Sequence, residues 1–168
     1  MTPFDDRDAR LKRARRSLDG LSVGDAFGER FFGPFSRVRG LLESRPLPAA
    51  PWRWTDDTAM AAGIVEVLAT DGAIDPAQLA AVFARNWRND PASGYGRGAQ
   101  AILDEIHSGQ DWRAVSESAF GGTGSMGNGG GMRAAPLGAW FADDLPALDA
   151  AAEASARPTH AHREGIAG

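Results

Sequence analysis

Two short stretches carry most of the side chains that could do chemistry. Trp54-Thr55-Asp56-Asp57-Thr58 sets two adjacent carboxylates beside hydroxyls, and such oxygens are hard ligands suited to Mg2+ or Mn2+. Two carboxylates do not fill an octahedral shell, so a metal at Thr55, Asp56 and Asp57 would need further oxygens. Taken alone, the commoner use of these residues is to open a helix, with Thr55 as N-cap and the two acids facing the helix dipole. The second stretch, residues 121–131, is mostly glycine, with Ser125 and Asn128 among the glycines. Successive backbone N–H groups running into a helix form an anion site suited to a pyrophosphate. Arg133 falls in the first turn of the helix expected next, and the alternative for the loop is a surface linker. A phosphate loop of the Gly-Lys-Ser/Thr kind is excluded, because Lys12 is the sole lysine. Gly122-x-Gly124-x-x-Gly127 matches the dinucleotide string, yet no strand is expected before it.

Smaller signals accompany these. Asp25, in the small-residue run Gly24-Asp25-Ala26, reads either as a buried functional carboxylate or as a helix-terminal polar group. His160-x-His162 offers too few ligands for zinc, so His160 is expected to cap a helix or meet a ligand. Trp52 and Trp54 flank the carboxylates and could wall a site or pack in the core.

Helices must position these groups. Leu11, Ala14, Leu18 and Leu21 recur at helical spacing within residues 7–27, and Met60, Ile64, Val67 and Leu68 do so within 56–69, before Gly72. Asp75-Pro76 opens a third helix carrying Leu79, Val82, Phe83 and Trp87. A fourth carries Ala99, Ile102, Leu103 and Ile106, and a short fifth spans 111–120. After the glycine loop, 132–141 and a segment ending at Ala156 read as helices, and Thr159-His160 as another helix start. Residues 29–53, with Pro34, Pro46, Pro48 and Pro51, read as irregular. No segment alternates with period two, so the expected class is all-α.

Composition narrows the function. The chain has 168 residues, 43% of them hydrophobic, with 18 basic and 22 acidic side chains and a net charge of −4. One domain with a sizeable core fits that length. The mild acidity argues against a duplex nucleic-acid or membrane-surface partner. The absence of cysteine excludes thiol catalysis and Cys-ligated metals. With no long apolar stretch and no apolar core in the first residues, a cytoplasmic protein is expected.

In order along the chain, Gly20–Gly28, Trp54–Met60, Gly94-Tyr95-Gly96-Arg97-Gly98, Gly127–Gly138, and Thr159-His160 with Glu164–Gly168 resemble the ADP-ribosylglycohydrolase family, of the dinitrogenase-reductase-activating type. The resemblance spans residues 20–168 and rests on the ordered set of motifs. It implies an orthogonal all-α bundle holding two Mg2+ ions, or Mn2+, and hydrolysis of the bond between the ribose anomeric carbon and a modified protein or small molecule. Thr55, Asp56 and Asp57 would ligate metal, and Asp56 and Asp57 would act in catalysis. Gly94, Gly96, Gly98, Ser125, Gly127, Asn128, Gly129 and His160 would bind ADP-ribose. The family's glutamate four residues after Gly28 is here Phe32, which makes Glu29 the nearest candidate general base. Members run to about twice this length, in the usual domain size range, and bring a distal Asp-x-Asp-Thr segment that this sequence lacks after Asp57. The expectation is therefore one incomplete domain over residues 1–168, with an exposed apolar face through which it could associate. The alternative is a non-catalytic ADP-ribose-binding module or an inactive fragment.

Overall fold

The computed structural model describes residues 3–167, with side chains from Asp6 onward. Met1 and Thr2 of the chain start, and Gly168 at the close of the last motif, lie outside the described residues. Among the described residues the regular structure is helical throughout, with no strand. The helices are α1 (Pro3–Gly28), α2 (Phe35–Ser44), α3 (Asp56–Asp71), α4 (Pro76–Asn89), α5 (Arg97–His107), α6 (Trp112–Gly122), α7 (Ala135–Trp140), α8 (Leu145–Ala156) and α9 (Arg163–Ala167). A 3-10 turn, Glu29–Phe31, follows α1.

The apolar character of α3 extends around most of its circumference, which suits a helix buried on several sides. Met60, Ile64, Val67 and Leu68 are buried, as are the small residues Ala59, Ala61 and Gly63. α1 and α4 pack on it, and α1 also lies against α7. A Cβ added at Gly63 would stand 3.1 Å from Phe83 and 3.1 Å from Val82, so this glycine sets the approach of α4. α4 buries the stripe expected of it (Leu79, Val82, Phe83 and Trp87), and the Asp75 carboxylate accepts the Ala77 N–H at 2.8 Å. α3 ends at Gly72, whose left-handed φ of 74° and N–H bond to the Leu68 carbonyl close its last turn.

Arginines of α1 satisfy carbonyls where neighbouring helices end. Arg7 donates to the Ala69 and Thr70 carbonyls at 2.7 and 2.8 Å, and Arg13 donates to the Ala139 carbonyl at 2.9 Å. Cations at helix C-termini supply donors that the helix lacks and complement its dipole.

The fold departs from the sequence expectation in four places, one being that the helix expected over 132–141 starts only at Ala135. Residues 29–53 are not wholly irregular: α2 begins directly after Pro34, and none of its side chains is buried, so no apolar stripe marked it. The last helix starts at Arg163, not at Thr159-His160. The amides of Thr159 and His160 instead fold back onto the Ala156 carbonyl at 3.1 and 3.0 Å and continue the end of α8. α6 breaks at Ala119–Gly121, where Phe120 adopts a left-handed φ of 56°. Phe32, Phe35 and Leu42, near the end of α1 and on α2, are exposed. No helix of the described residues is long and apolar enough to cross a membrane.

Replacing Gly63 by valine forces side-chain volume against Phe83. The expected outcome is a loss of about 1–3 kcal/mol, read as a lower Tm by circular dichroism. An unchanged Tm would mean that α4 can move aside freely.

Candidate active site

The acidic end of the site is organised by a carboxylate from another helix. Thr55 precedes α3 in an extended conformation, but its side chain makes no capping bond. Asp25 of α1 takes that role. Its carboxylate accepts the Thr55 N–H at 2.7 Å, the Thr55 hydroxyl at 2.7 Å, the Thr58 hydroxyl at 2.6 Å and the Thr58 N–H at 3.3 Å. This corrects the reading of Thr55 as the cap. One consequence is that the first turn of α3 is tied to α1. Another is that the Thr55 hydroxyl directs its proton at Asp25, so its lone pairs stay available to a cation.

An open cleft of about 620 Å3 is lined by Asp25, Glu29, Thr55, Asp56 and Asp57, with Gly24, Gly28, Phe32, Gly94 and Asn128 beside them and no Lys or Arg among its lining residues. Burial, and then the adjacent Asp57 charge, push Asp56 up to about 6. Asp57 is raised too, first by burial and then by the Asp25 and Glu29 charges. Carboxylates crowded together without a counter-ion suit a divalent cation, and their oxygen chemistry fits Mg2+ or Mn2+. Among the described residues no three or more His, Asp or Glu side chains cluster as a metal site, so Thr55, Asp56 and Asp57 would hold one side of such an ion. Gly94, with φ of 90°, backs onto this corner, and a Cβ there would sit 3.3 Å from Asp56 Oδ1. Glu29 lies on the 3-10 turn at the cleft edge and is exposed.

The glycine loop forms the other end. A cavity of about 230 Å3 is bounded by Gly96, Gly98, Phe120, Ser125, Gly127, Gly129 and His160, and it shares Asp56, Asn128 and Met132 with the acidic cleft. The two therefore make one trough. The loop is not a free linker. The Asn128 carbonyl accepts the Met132 N–H at 2.9 Å, and His160 Nε2 meets the Gly127 carbonyl at 3.1 Å. A Cβ at either Gly129 or Gly165 would come within 2.9 Å of the His160 ring. All the expected site residues thus line one trough, with Asp25 joining them.

Other expectations need correction. Arg133 lies in the turn before α7, not in the first turn of a helix, and although it borders the glycine-loop cavity its donors are used inside the fold. It is fully buried, donating to the Ser155 carbonyl at 2.7 Å and the Thr159 hydroxyl at 3.0 Å. His160 caps no helix, whereas His162 Nδ1 accepts the Glu164 N–H at 3.2 Å in the first turn of α9. Trp54 is about half exposed, and Trp52 packs edge-on against Phe27 at 5.2 Å, so neither enters the main core. Sequence reasoning passed over Phe120. Its ring is 59% exposed at the trough mouth, and a Cβ on Gly98 would lie 2.5 Å from it. An aromatic directly before Gly121-Gly122 was the only available signal.

The all-α bundle thus sets a carboxylate pair at one end of a trough and a glycine loop at the other. Residues 6–168 match the ADP-ribosylglycohydrolase family, and the chain belongs to that family. It is 33% identical to ADP-ribosylhydrolase ARH3 of Homo sapiens over 174 residues, covering 94% of this chain and 47% of that protein. The Danio rerio ARH3 is 35% identical over 136 residues, 76% of this chain and 37% of the relative. ADP-ribosylarginine hydrolase Tri1 of Pseudomonas putida is 30% identical over 126 residues, 69% of this chain and 34% of the relative. The chain thus spans less than half the length of each of these curated relatives.

A carboxyl group with a raised folded-state pKa contributes stability at low pH that is lost as pH rises through that value. For Asp56 the loss falls between its ordinary value of 3.8 and about 6. Asp56→Asn is therefore expected to raise the Tm of the metal-free chain at pH 7.5 and to change it little at pH 4. A variant less stable than the parent at pH 7.5 would contradict this electrostatic account.

Proposed function

We propose that the protein is a metal-dependent hydrolase that removes ADP-ribose from a modified protein or small molecule. The observation that carries this reading is the shared trough, in which Asp56 and Asn128 belong both to the acidic cleft and to the glycine-loop cavity. Backbone groups of Gly127, Asn128 and Gly129, with Ser125 and the Gly94–Gly98 segment, would cradle the pyrophosphate and riboses. The exposed Phe120 ring would stack on the flat adenine. The distal ribose would then project toward Asp56 and Asp57.

Water would attack the anomeric carbon as the bond to the acceptor breaks, with oxocarbenium character developing on the ring. Glu29, the exposed carboxylate at the cleft edge, would take one proton of that water and pass it on to the departing acceptor. Mg2+ or Mn2+ held at Thr55, Asp56 and Asp57 would supply Lewis acidity toward water and the ribose diol. Oxygens from water, substrate or further polypeptide would complete its shell. A site within the cytoplasm fits this reading, and the net charge of −4 gives no reason to expect a duplex nucleic-acid partner.

A second reading is a binding module without turnover. It is favoured by the small ligand set, since no three or more potential metal-ligating acids or histidines cluster among the described residues.

Calorimetric titration of ADP-ribose into the chain, with and without Mg2+, tests both. Saturable binding that tightens with Mg2+ is expected, and Phe120→Ala should weaken it about tenfold, as loss of one stacked base implies. Binding indifferent to Mg2+ would favour the module. An absence of heat under both conditions would contradict both readings.

A further inference from the structure

Arg133 is fully buried, yet none of its hydrogen bonds goes to a carboxylate. A buried cation without an acid partner is unfavourable unless other groups compensate. Here the compensation is the C-terminal end of α8, whose Ser155 and Ala156 carbonyls lie 2.7 and 3.4 Å from Nη2, and the face of Phe83 at 4.5 Å. Nε still lacks a partner. A hydrocarbon side chain would fill the space without that penalty. What it could not supply are the donors that the Ser155 carbonyl at 2.7 Å and the Thr159 hydroxyl at 3.0 Å take from Nη2.

From Thr159 the contacts run on to the glycine loop. Thr159 Oγ1 lies 2.8 Å from His160 Nδ1, and His160 Nε2 lies 3.1 Å from the Gly127 carbonyl oxygen. Both ends of this chain are chemically unambiguous, because a guanidinium only donates and a carbonyl only accepts. For a neutral imidazole the direction is then fixed throughout. Arg133 donates to Thr159, the Thr159 hydroxyl donates to Nδ1, and Nε2–H donates to Gly127. A charged imidazole would break this order. Burial, followed by the Arg133 charge, lowers His160 to about 4 and keeps the ring neutral.

We propose that Arg133 is a positioning residue that acts through Thr159 and His160 to fix the peptide joining Gly127 to Asn128. That peptide is planar and trans, so holding the carbonyl toward His160 turns the Asn128 N–H to the opposite side. It also sets where Asn128 stands, at the junction of the two cavities. The shape of the loop is thereby determined before a ligand arrives, which limits the ordering needed on binding. The consequence for affinity rests on the ADP-ribose reading above; the hydrogen-bond chain does not.

Nitrogen-15 NMR of the imidazoles in the full chain tests this without ligand, with His160 assigned against His107 and His162 by single substitution. At pH 7 His160 is expected as the neutral, Nε2-protonated tautomer. Thr159→Val keeps the shape but removes the hydroxyl. It should leave Nδ1 without its donor and shift the Nδ1 resonance, move the Gly127 and Asn128 amide signals, and weaken ADP-ribose binding about tenfold. Thr159→Ser should restore all three. Arg133→Met should reproduce the valine phenotype; if it does not fold, the two Thr159 variants carry the test. A charged or Nδ1-protonated His160 in the parent, or amide signals indifferent to Thr159→Val, would overturn the proposal. If the parent fails to bind ADP-ribose while the NMR results hold, the ligand reading falls and the positioning role stands.

Discussion

The site depends on one carboxylate and four donors. Asp25 gathers the amides and hydroxyls of Thr55 and Thr58 onto its two oxygens. Hydrogen bonds to a charged acceptor are stronger than neutral ones, at about 1.5–3 kcal/mol each, and here they join α1 to the first turn of α3. Had Thr55 capped α3 with its own side chain, its oxygen would have faced the helix amides. With the cap supplied by α1, Thr55, Asp56 and Asp57 present oxygens to the cleft together. The tie comes with electrostatic strain, because the Asp25 charge adds to the burial that already raises Asp57. A bound cation, on the reading proposed above, would relieve that strain.

The opposite end of the trough uses the reverse device. There the buried charge is positive, and backbone dipoles at the end of α8 stabilise it in place of an acid. The acidic end leaves charge uncompensated toward the cleft, whereas the arginine end satisfies its charge inside the fold and passes only hydrogen-bond direction outward. Close approach makes the second device workable. Gly129 and Gly165 let the loop and the start of α9 close on the His160 ring, and side chains at these positions would push the ring off its partners.

Elements with a buried stripe were readable from sequence because burial and helical period coincide. This held for α3 and α4, and for the aspartate cap at Asp75. α2 was missed for the same reason, since a helix with no buried face leaves no stripe. Adjacent residues such as Asp56 and Asp57 announce a site locally. The role of Asp25 does not, because its partners lie thirty residues further on. Arg133 was expected in the first turn of a helix over 132–141, but α7 starts only at Ala135, and the turn before it carries the guanidinium inward. Phe120 was hidden by the break in α6, which no local pattern distinguished from a helix end.

On the proposed reading, Asp25 would make Thr55, Asp56 and Asp57 into a cation site opening onto the glycine loop. Paramagnetic broadening of amide signals by Mn2+ measures this directly. The account predicts broadening centred on residues 24–25, 55–58 and 94, and its disappearance in Asp25→Ala at the same Mn2+ concentration, with the α4 and α5 signals unchanged. Broadening centred elsewhere, or left intact in the Asp25 variant, would contradict it.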